Sequence, residues 1–262
     1  MISESRQKIC LTFAKKTAIE AGKLLLKRVG KKNKISFKGR VNLVTEADLA
    51  SEKLIVKAIK NKFPDHSILT EEKASVEKDS DFRWIIDPLD GTTNYAHGFP
   101  FWSVSIALEF KGKIIVGVVF DPLRNELFYA RKNGGAFLNR KRLCVSNQRR
   151  LDKALLATGF PYDIRVSEND NLNFFNRFAK AARGVRRAGS AALDLCYLAC
   201  GRFDGFWEQK LHPWDTAGGK IIVEEAGGKI TNFNGKKYSI YDDYILGSNR
   251  KIHNQMIKVL SE

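Results

Sequence analysis

The sequence predicts a mixed α/β fold folded as a single domain over residues 1–262. Segments of helical period alternate with short β-rich runs along the whole chain. Hydrophobic residues make up 44% and aromatics 11% of it, enough apolar material to offset the entropy of ordering a core. No linker, repeat or low-complexity stretch divides it.

Residues 3 to 29 read as an amphipathic helix with Ile9, Phe13, Thr17, Ala21, Leu24 and Leu25 on one stripe, stopping near Gly30. A second helix is expected from Ala47 to Phe63, its apolar face Leu54, Ile55, Ala58 and Ile59, with Pro64-Asp65 as the stop. From Ile68 the period changes to strands at Trp84-Ile85-Ile86, Ser103 to Phe110, Ile114 to Phe120 and Glu126 to Ala130, punctuated by Asp, Gly and Pro turns. Helices return near Leu172 to Ala182 and Ser190 to Ala199. A strand follows around Phe203 to Trp207, then a helix carrying Trp214, Ala217, Gly218, Ile221 and Ile222 that ends at Gly227-Gly228. Strands near Lys229 to Phe233 and Tyr244 to Gly247 precede a short final helix.

Several classes of protein are excluded. The four cysteines, Cys10, Cys144, Cys196 and Cys200, are too few for a disulfide scaffold and form no CxxC pair, so Cys196 and Cys200 read as small buried helical neighbours. The first residues, Met-Ile-Ser-Glu-Ser-Arg, lack the pattern of a secretion signal, and a cytoplasmic location is expected. The stretch Gly91 to Leu108 has no formal charge but contains Thr92, Thr93, Asn94, His97 and Pro100, which hydrocarbon would not solvate; no membrane span is expected.

Against 45 basic and 29 acidic side chains, a net charge of +16, the informative residues are carboxylates at the ends of apolar strands. Asp87 follows Trp84-Ile85-Ile86, and a turn at Pro88-Leu89 is expected to bring Asp90 to the same point. Two carboxylates so placed stay ionised together only around a cation, and their hard oxygens suit Mg2+. Gly91, Thr92 and Thr93 then read as a helix start whose free N–H groups favour phosphate. Metal ligands beside a phosphate cradle are what a metal-assisted phosphoryl hydrolase needs. Read alone, Asp-Pro-Leu-Asp-Gly-Thr is more simply a turn with a helix cap, Asp215 a residue answering a helix dipole, and Glu71-Glu72 a pair of solvated acids.

Taken together, three blocks resemble the inositol monophosphatase family, part of the Mg2+-dependent, lithium-sensitive sugar phosphatases. They are Thr70-Glu71-Glu72, Trp84 through Asn94, and Trp214-Asp215-Thr216-Ala217-Gly218-Gly219, with Leu43-Val44-Thr45-Glu46-Ala47-Asp48 ahead of them. The resemblance implies a layered α-β-α-β-α sandwich, commonly a homodimer. It implies one Mg2+ held by Glu71, Asp87 and the Leu89 carbonyl, a second by Asp87, Asp90 and Asp215, and a weaker third near Glu71. The attacking water would be oriented by Glu71 and Thr92, with Asp48 hydrogen-bonded to the Thr92 hydroxyl, and the Gly91 and Thr92 amides would bind phosphate. Lys38 corresponds to a family lysine near the site. The Gly189-Ser190-Ala191 loop and Glu208 match the positions that hold substrate, a carboxylate suiting ring hydroxyls. The chain departs from the family in having Thr70 where Gly is common and Thr216-Ala217-Gly218 where Ala-Ala-Gly is common.

The implied activity is hydrolysis of inositol 1-phosphate or a related polyol monophosphate. Fructose 1,6-bisphosphate, 3′-phosphoadenosine 5′-phosphate, histidinol phosphate and NADP are the competing substrates. Basic runs at Lys27 to Arg40, Arg131 to Lys153 and Arg177 to Arg187 read as a solvated surface that draws in phosphorylated substrates. They also leave open nucleic-acid or ribonucleoprotein contact, although no RNA-binding signature accompanies them.

Overall fold

The computed structural model describes residues 2–30, 35–38 and 42–262, with the segments 35–38 and 42–45 described through their backbone. In chain order the elements are α1 (Glu4–Leu26), β1 (Ile35–Lys38), β2 (Asn42–Thr45), α2 (Glu46–Lys62), β3 (Ser67–Thr70), β4 (Phe82–Asp90) and α3 (Thr92–Ala96). The middle of the chain supplies β5 (Ser103–Phe110), β6 (Lys113–Asp121), β7 (Glu126–Arg131), β8 (Ala136–Leu138), β9 (Lys141–Arg142) and β10 (Leu155–Thr158). The last third adds α4 (Leu172–Ala181), β11 (Gly184–Arg186), α5 (Ala191–Ala199), β12 (Gly205–Gln209), α6 (Pro213–Glu225), β13 (Lys229–Thr231), β14 (Tyr244–Ser248) and α7 (His253–Ser261).

Two sheets separate three helical layers. The larger has the order β3-β4-β5-β6-β7-β8-β9 and the smaller β11-β10-β12-β14-β13. Strand alternation sends Trp84, Ile86, Val104, Ile106 and Leu108 to one face of the large sheet, where they pack with α1 and α2. Ile85, Ala107 and Val119 point the other way, into a core shared with α5, α6 and the near face of the small sheet. Leu156, Trp207 and Leu246 on the far face of the small sheet meet Phe178 of α4 and Met256 of α7. The α-β-α-β-α layering is present.

Two expectations need correction. The α1 stripe holds at Thr17, Ala21 and Leu25, which are buried, but it is shifted elsewhere: Ile9 is 53% exposed while Cys10, Ala14 and Ala18 are fully buried. Small side chains win there because the helix lies close on the sheet: a Cβ on Gly22 would sit 2.6 Å from the Phe120 ring. The strand at Trp84-Ile85-Ile86 does not turn at Pro88-Leu89 but runs on to Asp90 through a bulge, pairing Asp87 with Ser105 and Asp90 with Ser103. Pro88 has no N–H for the ladder, and a bulge accommodates it while re-aiming the side chains that follow.

Glycines bring α6 to the same place. A Cβ on Gly117 of β6 would lie 2.4 Å from Ile221 Cγ2 and 2.6 Å from the Gly218 carbonyl, and a Cβ on Gly218 would lie 2.7 Å from Ser105 Oγ. Without those side chains, helix and sheet backbones approach closely, and the first turn of α6 reaches the bulged end of β4.

Candidate active site

Asp87, Asp90 and Asp215 each offer a carboxylate oxygen within 4.8 Å of the others, at the junction of β4 and α6. Their other bonds hold them in place. Asp87 Oδ1 accepts the Leu89 N–H at 3.0 Å inside the bulge. Asp90 Oδ2 accepts from Ser190 Oγ at 2.5 Å and from the Ala192 N–H at 2.9 Å, tying β4 to the first turn of α5. Asp215 Oδ2 accepts the His212 N–H at 2.6 Å, so it is a helix-capping residue and a member of the cluster at once.

Glu71 follows β3, its N–H bonded to the Ile86 carbonyl at 3.3 Å. It lines a cavity of about 200 Å³ together with Asp87, Leu89, Asp90, Thr92 and Asp215, outside the tight three-carboxylate group. The loop bearing it is anchored by a residue that sequence reasoning missed. Glu52 of α2 is 4% exposed, and its carboxylate accepts from Thr70 Oγ1 at 2.8 Å, the Glu72 N–H at 3.1 Å and the Lys73 N–H at 3.2 Å. Thr70 thus supplies a bond that glycine there could not. Glu52→Ala, which strands three donors, is expected to lower unfolding stability by about 1–3 kcal/mol in urea titrations. A wild-type urea midpoint in that variant would refute the anchoring role.

Thr92 opens α3 after Gly91, whose φ of 95° and close approach to the Phe101 and Gly189 carbonyls exclude a larger residue. The Thr92 hydroxyl lies 3.0 Å from Asp48 Oδ1 and 3.1 Å from the Leu89 carbonyl, donating its single hydrogen to one or the other. Asn94, quoted in the motif but given no role, donates to the Phe101 and Ala188 carbonyls at 2.7 and 2.8 Å, joining α3 to the Gly189 loop.

A second cavity of about 100 Å³ opens beside Asp90, lined by Gly189, Ser190, Ala191, Asp194 and Glu208 among others. Glu208 is 7% exposed on β12. The space for its carboxylate exists because Gly159 has no side chain; a Cβ there would sit 2.0 Å from Glu208 Oε1. Gly159, Asp194 and Tyr162, which lines both cavities, were missed because no local pattern marks a residue whose role is set across sheets. The Lys38 side chain lies outside the described residues.

Burial and mutual repulsion dominate the electrostatics. Desolvation, then the charges of Glu71, Asp90 and Asp215, push Asp87 well above the usual carboxylate range. Asp215 is raised in the same way, by desolvation and then by Asp90 and Glu71. Asp90 is raised to about 6 by desolvation, against the bonds from Ser190 and Ala192 that favour its charged form. Glu208 is pushed up to about 8 by desolvation and Asp90, with Arg187 opposing. Between the ordinary value of 4.5 and about 8, the folded chain therefore holds a proton on Glu208 that the unfolded chain has released. Its contribution to stability is present below that window and lost as pH rises through it. Glu208→Gln is expected to flatten the fall of melting temperature across pH 5 to 8, by about the share one proton carries; an unchanged slope would contradict that assignment.

Buried hard-oxygen ligands in mutual repulsion fit a divalent cation, which would relieve the cost of ionising them. All four cysteines are free, Cys10 and Cys196 buried, Cys200 half-buried and Cys144 exposed, so the expected buried pair is only partly covered. Among the described residues no helix is long and apolar enough to cross a membrane.

A model of the inositol monophosphatase family matches residues 7–262. The chain belongs to the inositol monophosphatase family. Inositol-1-monophosphatase of Synechocystis is 43% identical over 263 aligned residues, covering 100% of this chain and 92% of that one. The protein named Nus factor SuhB in Escherichia coli is 41% identical, covering 96% of each chain. Among solved structures, inositol monophosphatase from Anabaena superposes with a TM-score of 0.89 at 42% identity, covering 97% of this chain and 96% of that one. The extragenic suppressor protein suhB of Bartonella henselae gives 0.91 at 38% identity, covering 97% and 99%. The family and its layered fold are thus common to chains named for a phosphatase and chains named for another role.

Proposed function

We propose that the chain is a Mg2+-dependent phosphomonoesterase that releases phosphate from a polyol monophosphate, with inositol 1-phosphate the first candidate. The observation that carries this reading is the convergence of Asp87, Asp90 and Asp215 within 4.8 Å beside Gly91 and Thr92. Glu71, Asp87 and the Leu89 carbonyl would hold one Mg2+, Asp87, Asp90 and Asp215 a second, with a weaker third near Glu71. When bound, these ions neutralise phosphate oxygens, acidify water and stabilise the leaving alkoxide.

The protein's own groups do the positioning. Amide N–H groups of Gly91 and Thr92 would face the phosphate. Asp48 draws the Thr92 hydroxyl hydrogen toward itself. The lone pairs of Thr92 Oγ1 are then free to accept a proton from a water whose other side is held by Glu71. Ser190 and Ala192, by bonding Asp90, fix the loop Gly189-Ser190-Ala191 against the metal side of the site. Glu208 would hold the leaving group's hydroxyls from β12. Lys38 belongs to this proposal by resemblance, as do lithium sensitivity, a homodimeric state and a cytoplasmic location.

The test is phosphate release with and without Mg2+ over inositol 1-phosphate, fructose 1,6-bisphosphate, 3′-phosphoadenosine 5′-phosphate, histidinol phosphate and NADP. The highest kcat/KM is expected for inositol 1-phosphate. A different winner moves the substrate, and no Mg2+-dependent release from any of them rejects the enzyme.

A second role, contact with nucleic acid or a ribonucleoprotein, is favoured by the relatives named Nus factor SuhB and by the net charge of +16. Arg140, Lys141 and Arg142 are exposed at the edge of the large sheet, on and beside β9. Reversing all three to glutamate is expected to weaken RNA retention and its salt dependence; unchanged retention counts against this surface.

A further inference from the structure

In the cavity beside Asp90, one side chain has no assigned task. Asp194, in the first turn of α5, is 1% exposed and lines the cavity with Glu208, Arg187 and Gly189. Its Oδ1 is buried and has no hydrogen-bond partner among the described residues. A folded chain seldom leaves a buried carboxyl oxygen unmatched unless water or a ligand completes it.

Capping does not account for it. An acid near a helix start ordinarily earns its place by accepting a free N–H or answering the helix dipole. Here Ser190 Oγ already accepts the Leu193 N–H at 3.3 Å, and Asp90 Oδ2 takes the Ala192 N–H at 2.9 Å. Asp194 also sits among other acids: desolvation first, then Glu208 and Asp90, drives its carboxyl well above the usual range, with Arg187 opposing. The helix could have carried an apolar residue there at less cost.

We infer that Asp194 is a specificity-determining residue which, paired with Glu208 across the cavity, holds neighbouring hydroxyls of a polyol leaving group. The inference deepens the phosphatase reading and rests on it. Each carboxyl group presents two oxygens that accept hydrogen bonds, and each hydroxyl of a polyol carries one hydrogen to donate and two lone pairs. A leaving group without hydroxyls leaves the buried oxygens unmatched, which is how a polar site discriminates most strongly. Asp90 and Ser190 supply the register: the Asp194 N–H bonds the Ser190 carbonyl at 3.0 Å, while Ser190 Oγ bonds Asp90. Asp194 is thus tied through Ser190 to Asp90 on the metal side of the site.

The experiment uses the full chain with Mg2+ and compares wild type, Asp194→Leu, Asp194→Ala and Asp194→Asn on inositol 1-phosphate and on p-nitrophenyl phosphate, whose leaving group has no further hydroxyl. The ratio of kcat/KM for inositol 1-phosphate to that for p-nitrophenyl phosphate should fall about tenfold or more in the leucine and alanine variants, through a higher KM for inositol 1-phosphate. The asparagine variant, which keeps a donor and an acceptor, should lose less than about threefold. Free myo-inositol should raise the melting temperature of wild type and lose that effect in the leucine variant. An unchanged ratio, or an equal fall on both substrates, overturns the inference while leaving the phosphatase reading standing. A wild-type chain with Mg2+-dependent activity on no polyol phosphate overturns both. The leucine variant fills the volume and the alanine variant empties it, so a packing effect would separate them whereas a lost hydrogen bond would not.

Discussion

Asp90→Asn is expected to lower phosphate release by about 10²–10³-fold or more, with the fold retained. Asp90 is the residue where three parts of the molecule meet: the end of the β4 bulge, the start of α5 through Ser190 and Ala192, and the carboxylate cluster with Asp87 and Asp215. An amide at this position retains an oxygen for the Ala192 N–H, so the structural bonds survive in outline. It removes one of three closely spaced like charges, two of them buried, and the metal-free variant should therefore melt no lower than the metal-free wild type, and higher at alkaline pH. The wild type gains that stability back only when a divalent ion binds. Metal-free and Mg2+-loaded melting curves, set beside kcat/KM, separate the two effects. Turnover above a tenth of wild type in Asp90→Asn would remove this carboxylate from the chemistry.

Thr92→Ala is expected to lower kcat by about 10²–10⁴-fold, the range for loss of a positioned proton acceptor. Thr92 is 6% exposed and its hydroxyl is fixed between Asp48 Oδ1 and the Leu89 carbonyl, so the oxygen has little freedom beyond the direction it presents to the cavity. Thr92→Ser keeps that oxygen and should recover most of the rate, whereas a serine variant as slow as alanine would point to backbone distortion at Gly91 instead. Asp48→Asn should fall between them, because the amide can still accept from Thr92 but no longer draws its hydrogen as strongly.

Much of the site was legible because its chemistry is local. The run Asp87 to Thr92 holds two carboxylate metal-ligand candidates and a positive-φ glycine within six residues, and Trp214-Asp215 places another carboxylate at a second helix start. The elements were legible where a short apolar run is covered on both faces, as in β5 and β6, whose residues are almost all buried. Legibility failed where tertiary contact overrides period. The α1 face was misplaced at Ile9 because close packing on Phe120 favours small residues on the adjoining stripe, Cys10, Ala14, Ala18 and Gly22, over a large one. The turn expected at Pro88 proved to be a bulge, since the partner Ser103 and Ser105 on β5 keep the strand paired on either side of it. Glu52, Gly159 and Asp194 were invisible for the same reason: each acts on a residue distant in sequence, and nothing beside it in the chain announces the partner.

Asp87, Asp90 and Asp215 are expected to form a cage for a divalent cation. Crystals soaked in Mn2+, a Mg2+ substitute with measurable anomalous scattering, test it most directly. A strong anomalous peak is expected within coordination distance, about 2.0–2.3 Å, of oxygens from all three carboxylates, with further density toward Glu71. A peak absent from that junction, or one that leaves any of the three carboxylates turned away, would contradict it.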